Sequence, residues 1–334
     1  MTARLGGRVL TVILLAAPCT PTHAYLKLGT GLGSEGISLK WRAGTVSYFI
    51  ANREVPNVSP TDLQNVMARS FSTWTAVPSA EIDFQFAGFT GAIPLEDDDI
   101  NTIGFLSRPD LERVLATTGF TYDTATGEII ESDIFFNSSF DWSTAEGGQA
   151  GRFDLQSIAT HEAGHFLGLG HSALGETERQ PSGGRRVIAA EAVMFPIAFS
   201  SGNTEDRVLR PDDIAGVSDI YPAGDFRQVT GSIQGRITRS GSGVLGAHVV
   251  AFNLRTQSLV GNFTLDDDGG FVIAGLEPGL YIVRAEPLDD GELESFFEGI
   301  DPADTLFRPR FYDSVVAVPA GGSSQRIEIA VVPR

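Results

Sequence analysis

Apolar residues recur along this chain with two different periods, and the change from one to the other divides it. Residues 46–51 crowd β-branched and aromatic side chains into a run that predicts a strand. Ser59-Pro60 then opens a helix, a capping residue followed by proline in the first turn. Leu63, Val66, Met67, Phe71 and Trp74 follow at the three- and four-residue spacing of one buried face. Further strands are expected at 82–86, 103–105 and 129–136, with the acidic run Glu96-Asp97-Asp98-Asp99 between the first two. Asp154 is placed to cap a second helix reaching about residue 167, where Gly168 ends it in a left-handed conformation. A glycine- and arginine-rich stretch, 174–187, separates it from Ala192-Val193-Met194-Phe195-Pro196. A third helix starts at Pro211-Asp212-Asp213, its acidic first turn suiting the helix dipole, and presents Ile214, Val217 and Tyr221 as a face. Pro222-Ala223-Gly224 ends it.

Beyond about residue 226 the period drops to two. Short alternating runs at 232–238, 247–253, 271–273 and 280–285 are punctuated by Asp268-Gly269-Gly270 and Pro278-Gly279. This half reads as an antiparallel β-sandwich. The fold class is therefore α+β: a mixed sheet with three main helices, followed by an all-β domain. The expected boundaries are 39–222 for the first domain, 223–228 for a linker and 229–334 for the second.

Composition narrows the function. The 334 residues are 42% hydrophobic and 20% charged, enough to bury two cores. A net charge of −18 excludes nucleic acid and anionic membranes as main partners, since both need a positive footprint. Residues 1–24 have the form of an export signal: Arg4 and Arg8, an apolar run at 9–17, and Ala24 before Tyr25. That run is too short to span about 30 Å of hydrocarbon, and no later one approaches the roughly 20 residues needed. The mature protein is expected to be secreted or periplasmic. Lipidation at Cys19 is disfavoured by Pro18 before it. Cleavage after Ala24 removes the single cysteine and takes the charge to −20, so stability must come from packing or metal ions. Residues 25–38 are glycine-rich and expected to form a mobile leader.

The chemistry is concentrated in His161-Glu162-Ala163-Gly164-His165-Phe166-Leu167-Gly168-Leu169-Gly170-His171. On a helix, His161 and His165 stand one turn apart on the same face. Gly168 lets the chain return so that His171 supplies a third nitrogen. Three protein ligands with an open position are the catalytic form of a zinc site. Glu162, about 100° round the helix from His161, lies outside the ligand set but near a metal-activated water, where it would act as general base. Three of the five histidines fall within eleven residues, which makes chance clustering a poor account.

This string resembles the metzincin signature, and Met194 stands where that clan has its Met-turn. The resemblance is nearest to the matrixins over about 39–222: Ser172 follows the third histidine, Met194-Phe195-Pro196 is similar to their Met-turn, and 212–217 is similar to their last helix. It implies an apolar floor at Met194, a substrate pocket near Pro196, Ile197 and Ala198, and a cleft-bordering strand near Phe136-Asn137 and Trp142-Ser143. Three departures stand out. Phe135 occupies the place of a histidine in the family's structural zinc site, so one zinc per chain is expected. No cysteine is available for latency. The interval of 23 residues from His171 to Met194 is long, and its excess is expected to form a solvated loop beside the cleft.

Other signals are weaker. Asp97, Asp98 and Asp99 suit calcium, although a solvated turn is the favoured reading. Asp266-Asp267-Asp268 reads as a hairpin turn, and His248 as structural. Residues 235–281 resemble carboxypeptidase regulatory-like, transthyretin-type domains, which implies a fold and leaves open whether a partner or carbohydrate binds there. The expectation is an exported zinc endopeptidase acting on proteins or peptides. The rivals are an adhesion protein with a vestigial zinc site, and a metzincin outside the matrixins.

Overall fold

The computed structural model describes residues 8–12, 27–30, 36–42, 44–181, 184–288 and 303–334. Its first half rests on a six-stranded sheet: β1 (Arg8–Val12), β2 (Thr45–Ala51), β3 (Asp83–Thr90), β4 (Thr102–Leu106), β5 (Ala116–Asp123) and β6 (Ile129–Asn137). The order across it is β1-β5-β6-β4-β2-β3. The run from β6 to β3 is parallel, while β5 pairs antiparallel with β6 and β1 antiparallel with β5. β1 is the described part of the segment read as an export signal; residues 1–7 and 13–24 lie outside the described residues.

Helix α1 (Pro60–Thr75) begins as the sequence requires. Ser59 Oγ accepts from Asp62 N at 3.2 Å, and the Asp62 carboxylate accepts from Ser59 N at 2.9 Å, a reciprocal capping box. Its face of Leu63, Val66, Met67, Phe71 and Trp74 is fully buried against the sheet and against α2 (Leu155–Phe166). Burying each such side chain contributes about 1.5–3 kcal/mol. Two short strands, β7 (Trp142–Ser143) and β8 (Phe153–Asp154), lead into α2.

Several expectations need correction. The leader is not loose where it is described: Leu28 is buried, its N–H donates to Gly168 O at 2.8 Å, and Lys27 forms a buried ion pair with Asp219. Its glycines flank an apolar anchor and a lysine whose carboxylate partner lies 192 residues away, which composition cannot show. Strand β5 was not expected, because the threonines and glycine in its ATTGFTYD sequence dilute the apolar pattern. Phe136, Asn137 and Trp142 do not border a cleft. β6 is an inner strand, Asn137 Nδ2 donates to Arg108 O at 2.8 Å, and Trp142 Nε1 donates to Asn137 O at 2.9 Å, so these residues are core.

The excess between His171 and Met194 is a β-hairpin, β9 (Gly175–Arg179) with β10 (Arg185–Ala190), and not a plain loop. Helix α3 (Pro211–Ile220) buries Ala215, Val217 and Ile220, leaving Ile214 exposed at 37%. The 223–228 segment is no free linker, for α4 (Phe226–Val229) starts within it and Phe226 is buried.

Beyond α4 the regular elements among the described residues are strands: β11 (Gly231–Arg239), β12 (Ser242–Gly243), β13 (His248–Asn253), β14 (Leu259–Phe263), β15 (Gly270–Leu276), β16 (Gly279–Glu286), β17 (Arg310–Phe311), β18 (Val316–Val318) and β19 (Ile327–Val331). They form two sheets, β12-β11-β15 with β19 on β11, and β14-β13-β16-β17 with β18 on β16. Ile233, Ile237, Ile273 and Ile329 of one sheet share a core with Val249, Val260, Val283 and Val316 of the other. Ala215 of α3 packs into that same core. The expected turn is present: Gly270 N donates to Asp268 Oδ1 at 2.7 Å. No helix among the described residues is long and apolar enough to cross a membrane.

Candidate metal centre

The metal helix is fixed before it carries any chemistry. Asp154 caps α2 by accepting from Ser157 N at 2.8 Å, and Arg207 clamps the same carboxylate while donating to Ala145 O and Glu146 O. Midway along, Trp74 Nε1 donates to Thr160 O at 2.9 Å, tying α2 to α1. The helix stops where expected: Gly168 has φ +93°, and a Cβ there would lie 2.3 Å from Leu39 O, so only glycine fits this turn.

His161, His165 and His171 converge, with ligating atoms all within 4.8 Å of one another. His161 Nδ1 lies 2.7 Å from Val193 O, and His165 Nδ1 lies 2.8 Å from Leu169 O. A carbonyl only accepts, so both Nδ1 atoms carry the hydrogen, and each neutral ring turns an Nε2 lone pair inward. Burial keeps the rings neutral, pushing His161 down to about 4 and His165 well below its usual range. Nε2 of His165 and Nε2 of His171 are 3.1 Å apart. Ligands about 2.0–2.1 Å from a tetrahedral zinc are roughly 3.3 Å from each other, close to this one separation, and neutral imidazole nitrogens are donors of the kind that ion takes. This is the one grouping of three or more metal-ligating side chains among the described residues.

Glu162 is buried, 5% exposed, beside this cluster. Burial lifts its carboxyl to about 7, while Thr118 Oγ1, donating to Oε2 at 2.6 Å, pulls the other way. Thr118 was not anticipated. It sits on the unexpected strand β5, and no pattern around it announces a partner 44 residues on.

Met194 lies against α2. A Cβ on Gly164 would meet Met194 Sδ at 2.2 Å and Trp74 Cζ2 at 2.8 Å, so the absence of a side chain between the two helical histidines admits the methionine. The Met194 turn is held from two sides. Ser172 N donates to Met194 O at 2.8 Å, and Asp213 accepts from Val193 N at 2.9 Å and Met194 N at 3.2 Å. Asp213 also accepts from Arg210 N at 2.8 Å; the sequence placed it in an acidic first turn and a matrixin-like helix but did not show that it holds the Met194 turn. Pro196, Ile197 and Ala198 follow the turn half-buried, and none lines the cavity bounded by His171, Ser172, Met194, Asp212, His248 and Gly261. The run 97–99 is solvent-facing, with Asp98 Oδ1 accepting from Ile100 N at 3.0 Å.

Residues 40–182 match the profile of the matrixin family, a span that holds the three histidines and Glu162 and stops short of Met194. Among curated proteins, the chain is similar to Metalloendoproteinase 1-MMP of Arabidopsis thaliana, 27% identical over 201 residues, 54% of this chain and 44% of that protein. It is likewise 27% identical to Metalloendoproteinase 1 of Glycine max over 194 residues, 54% of this chain and 52% of that one. Matrix metalloproteinase-20 of Homo sapiens matches at 27% over 184 residues, 54% of this chain and 32% of that protein. The chain thus spans about half or less of the length of these relatives. The likeness to matrixins thus lies in the half of the chain that carries the histidine cluster.

Proposed function

We propose that residues 39–222 are the catalytic domain of an exported zinc endopeptidase, with His161, His165 and His171 as metal ligands and Glu162 as general base. The observation that carries this reading is the convergence of three inward-facing histidine nitrogens beside a buried carboxylate. A zinc ion held there would supply Lewis-acid polarisation of the scissile carbonyl and a water acidic enough to ionise near neutrality. The protein does the rest. Val193 O and Leu169 O fix the tautomers of His161 and His165. Thr118 orients Glu162, whose carboxylate takes the proton of the attacking water and returns one to the leaving amine. Met194 closes the floor with an apolar surface.

The substrate would bind extended along β5. Arg8–Val12 already occupies that edge antiparallel, with Val12 opposite Gly119, next to Thr118. Removal of residues 1–24 on export would bare the edge for a peptide to add as a strand. Pro196, Ile197 and Ala198 are the proposed wall of the side-chain pocket. We read the second domain as a β-sandwich of the carboxypeptidase regulatory-like type.

Glu162→Gln tests the assignment. It should retain one zinc per chain and lose peptide hydrolysis by at least about 100-fold, the usual scale of a general base. Turnover near wild type in a zinc-loaded variant would overturn it.

A further inference from the structure

The outer face of one sheet in the second domain is not turned to solvent. Along β13, Val249 and Ala251 point into that domain's own core, while His248 and Val250 face the other way and are equally buried. What covers them is the catalytic half. Val250 and Leu259 pack with Leu174 and Ala192, which flank the β9–β10 hairpin at its base. The extra length between His171 and Met194 thus serves as a seat for the second domain.

At the centre of the contact the chains meet backbone to side chain. Asp212, the second residue of α3, accepts from Gly261 N in β14 at 2.8 Å and is hydrogen-bonded by the Ser172 hydroxyl. A Cβ on Gly261 would lie 2.6 Å from His248 Nε2 in the same sheet and 3.3 Å from Leu174 Cγ across the contact, so the two halves approach closely at this glycine. Next along α3, Asp213 holds the Met194 turn. Two adjacent carboxylates therefore join β14 to the two segments that carry the third histidine and the floor.

The three candidate ligands differ in what fixes them. His161 and His165 stand on α2, whereas His171 lies beyond Gly168 in chain with no regular structure. The segment is held at its start by Leu28 N, which donates to Gly168 O at 2.8 Å, and beyond His171 by Ser172 N, which donates to Met194 O at 2.8 Å, and by Leu174 packed with Ala192 and Val250. A ligand on an irregular segment binds metal well only if surrounding contacts hold it.

We propose that the second domain is a working part of the metal centre, with Asp212 a positioning residue through which β14 sets the His171–Ser172 segment. For its activity arm this rests on the endopeptidase reading; its zinc-affinity arm does not.

The test uses the full chain with Val250→Asp, Asp212→Ala and Asp212→Asn, reading zinc affinity by chelator competition, kcat and KM on a peptide, and thermal unfolding. Val250 lies outside the second domain's own core, so an aspartate there disturbs docking and not the sheets. Val250→Asp and Asp212→Ala should bind zinc at least about 10-fold more weakly, with kcat reduced and KM unchanged. Asp212→Asn should stay within about twofold of wild type, because its amide oxygen still accepts from Gly261 N and Ser172 can turn to accept from its NH2. A folded Val250→Asp with wild-type zinc affinity and kcat overturns the proposal. Should that variant not fold, equal zinc affinity in Asp212→Ala and Asp212→Asn does so instead. If wild type binds one zinc and cleaves nothing, the endopeptidase reading falls while the affinity ratios still decide this one.

Discussion

Two sets of buried polar side chains lie on opposite sides of the same sheet, and they are satisfied in opposite ways. At the histidine cluster the backbone engages the outer ring nitrogens of His161 and His165, which turns their Nε2 atoms inward, with Nε2 of His165 3.1 Å from Nε2 of His171. On β6, Glu131 and Asp133 are as deeply buried, at 2% and 3% exposure, and lie beside the acidic run 97–99. Their oxygens are already taken by amides: Asp133 accepts from Leu95 N at 2.5 Å and Thr102 N at 2.6 Å, and Glu131 accepts from Asp99 N at 2.6 Å. Buried acceptors that face each other need a cation; those that face N–H groups have had their need met by the fold. The sequence pointed to zinc at the histidines and favoured a solvated turn over calcium at 97–99. The hydrogen bonds separate them: the histidines keep the donor set proposed for zinc, while the carboxylates anchor a loop.

The largest expected effect breaks the first set. His165→Ala removes a ligand from the rigid helix and should weaken zinc binding by about a thousandfold or more, taking hydrolysis with it. The matching change at the acidic run, Asp97, Asp98 and Asp99 all to Asn, should leave unfolding temperature equally insensitive to calcium or chelator. A calcium-dependent rise of several degrees in wild type that the triple variant loses would put a cation back in that loop.

Next comes the carboxylate that holds the loop. Asp133→Ala strands two buried N–H groups, at about 1–3 kcal/mol each, and should cost about 2–5 kcal/mol in denaturant unfolding, with zinc content unchanged. Burial pushes Asp133 up to about 8, well above the unfolded value near 4. The native state therefore keeps a proton that the unfolded chain has released. Asp133's contribution is complete below about pH 4 and declines as pH rises through about 8. Unfolding midpoints measured from pH 4 to 8 should fall less steeply in Asp133→Ala than in wild type; parallel slopes would contradict this.

How much of this was legible follows from what each residue's neighbours are. The histidine spacing, the Ser59 and Asp154 caps and the stop at Gly168 are local, so helical geometry alone placed them. α+β was legible because a 3.6-residue period gives way to a period of two. The β9–β10 hairpin and α4 are local features that went unread, but the contacts missed at the site are long-range. Lys27 answers Asp219, Thr118 answers Glu162, and Ala192 packs on Val250, each pair separated by dozens of residues or more. β5 shows it best: eight residues too mixed to read as a strand, yet six of them are buried because both faces are covered.

The smallest effect sharpens the comparison within β5 itself. Thr118 and Thr121 are three residues apart, both at 1% exposure, and they point to opposite faces of the sheet. Thr118 Oγ1 donates to the Glu162 carboxylate at 2.6 Å; Thr121 Oγ1 has no partner among the described residues, on the face that holds Glu131. Valine matches threonine in shape, so each substitution removes one hydroxyl and little else. Thr118→Val deletes a hydrogen bond to a charged group, worth about 1.5–3 kcal/mol, part of which is spent orienting Glu162. It should lower kcat by about 10-fold with KM and zinc content unchanged. Thr121→Val removes a buried hydroxyl that gains nothing and should leave kcat as it is, with stability equal or slightly raised. Equal kcat in the two variants would mean that the Thr118 bond holds β5 to α2 without serving the base.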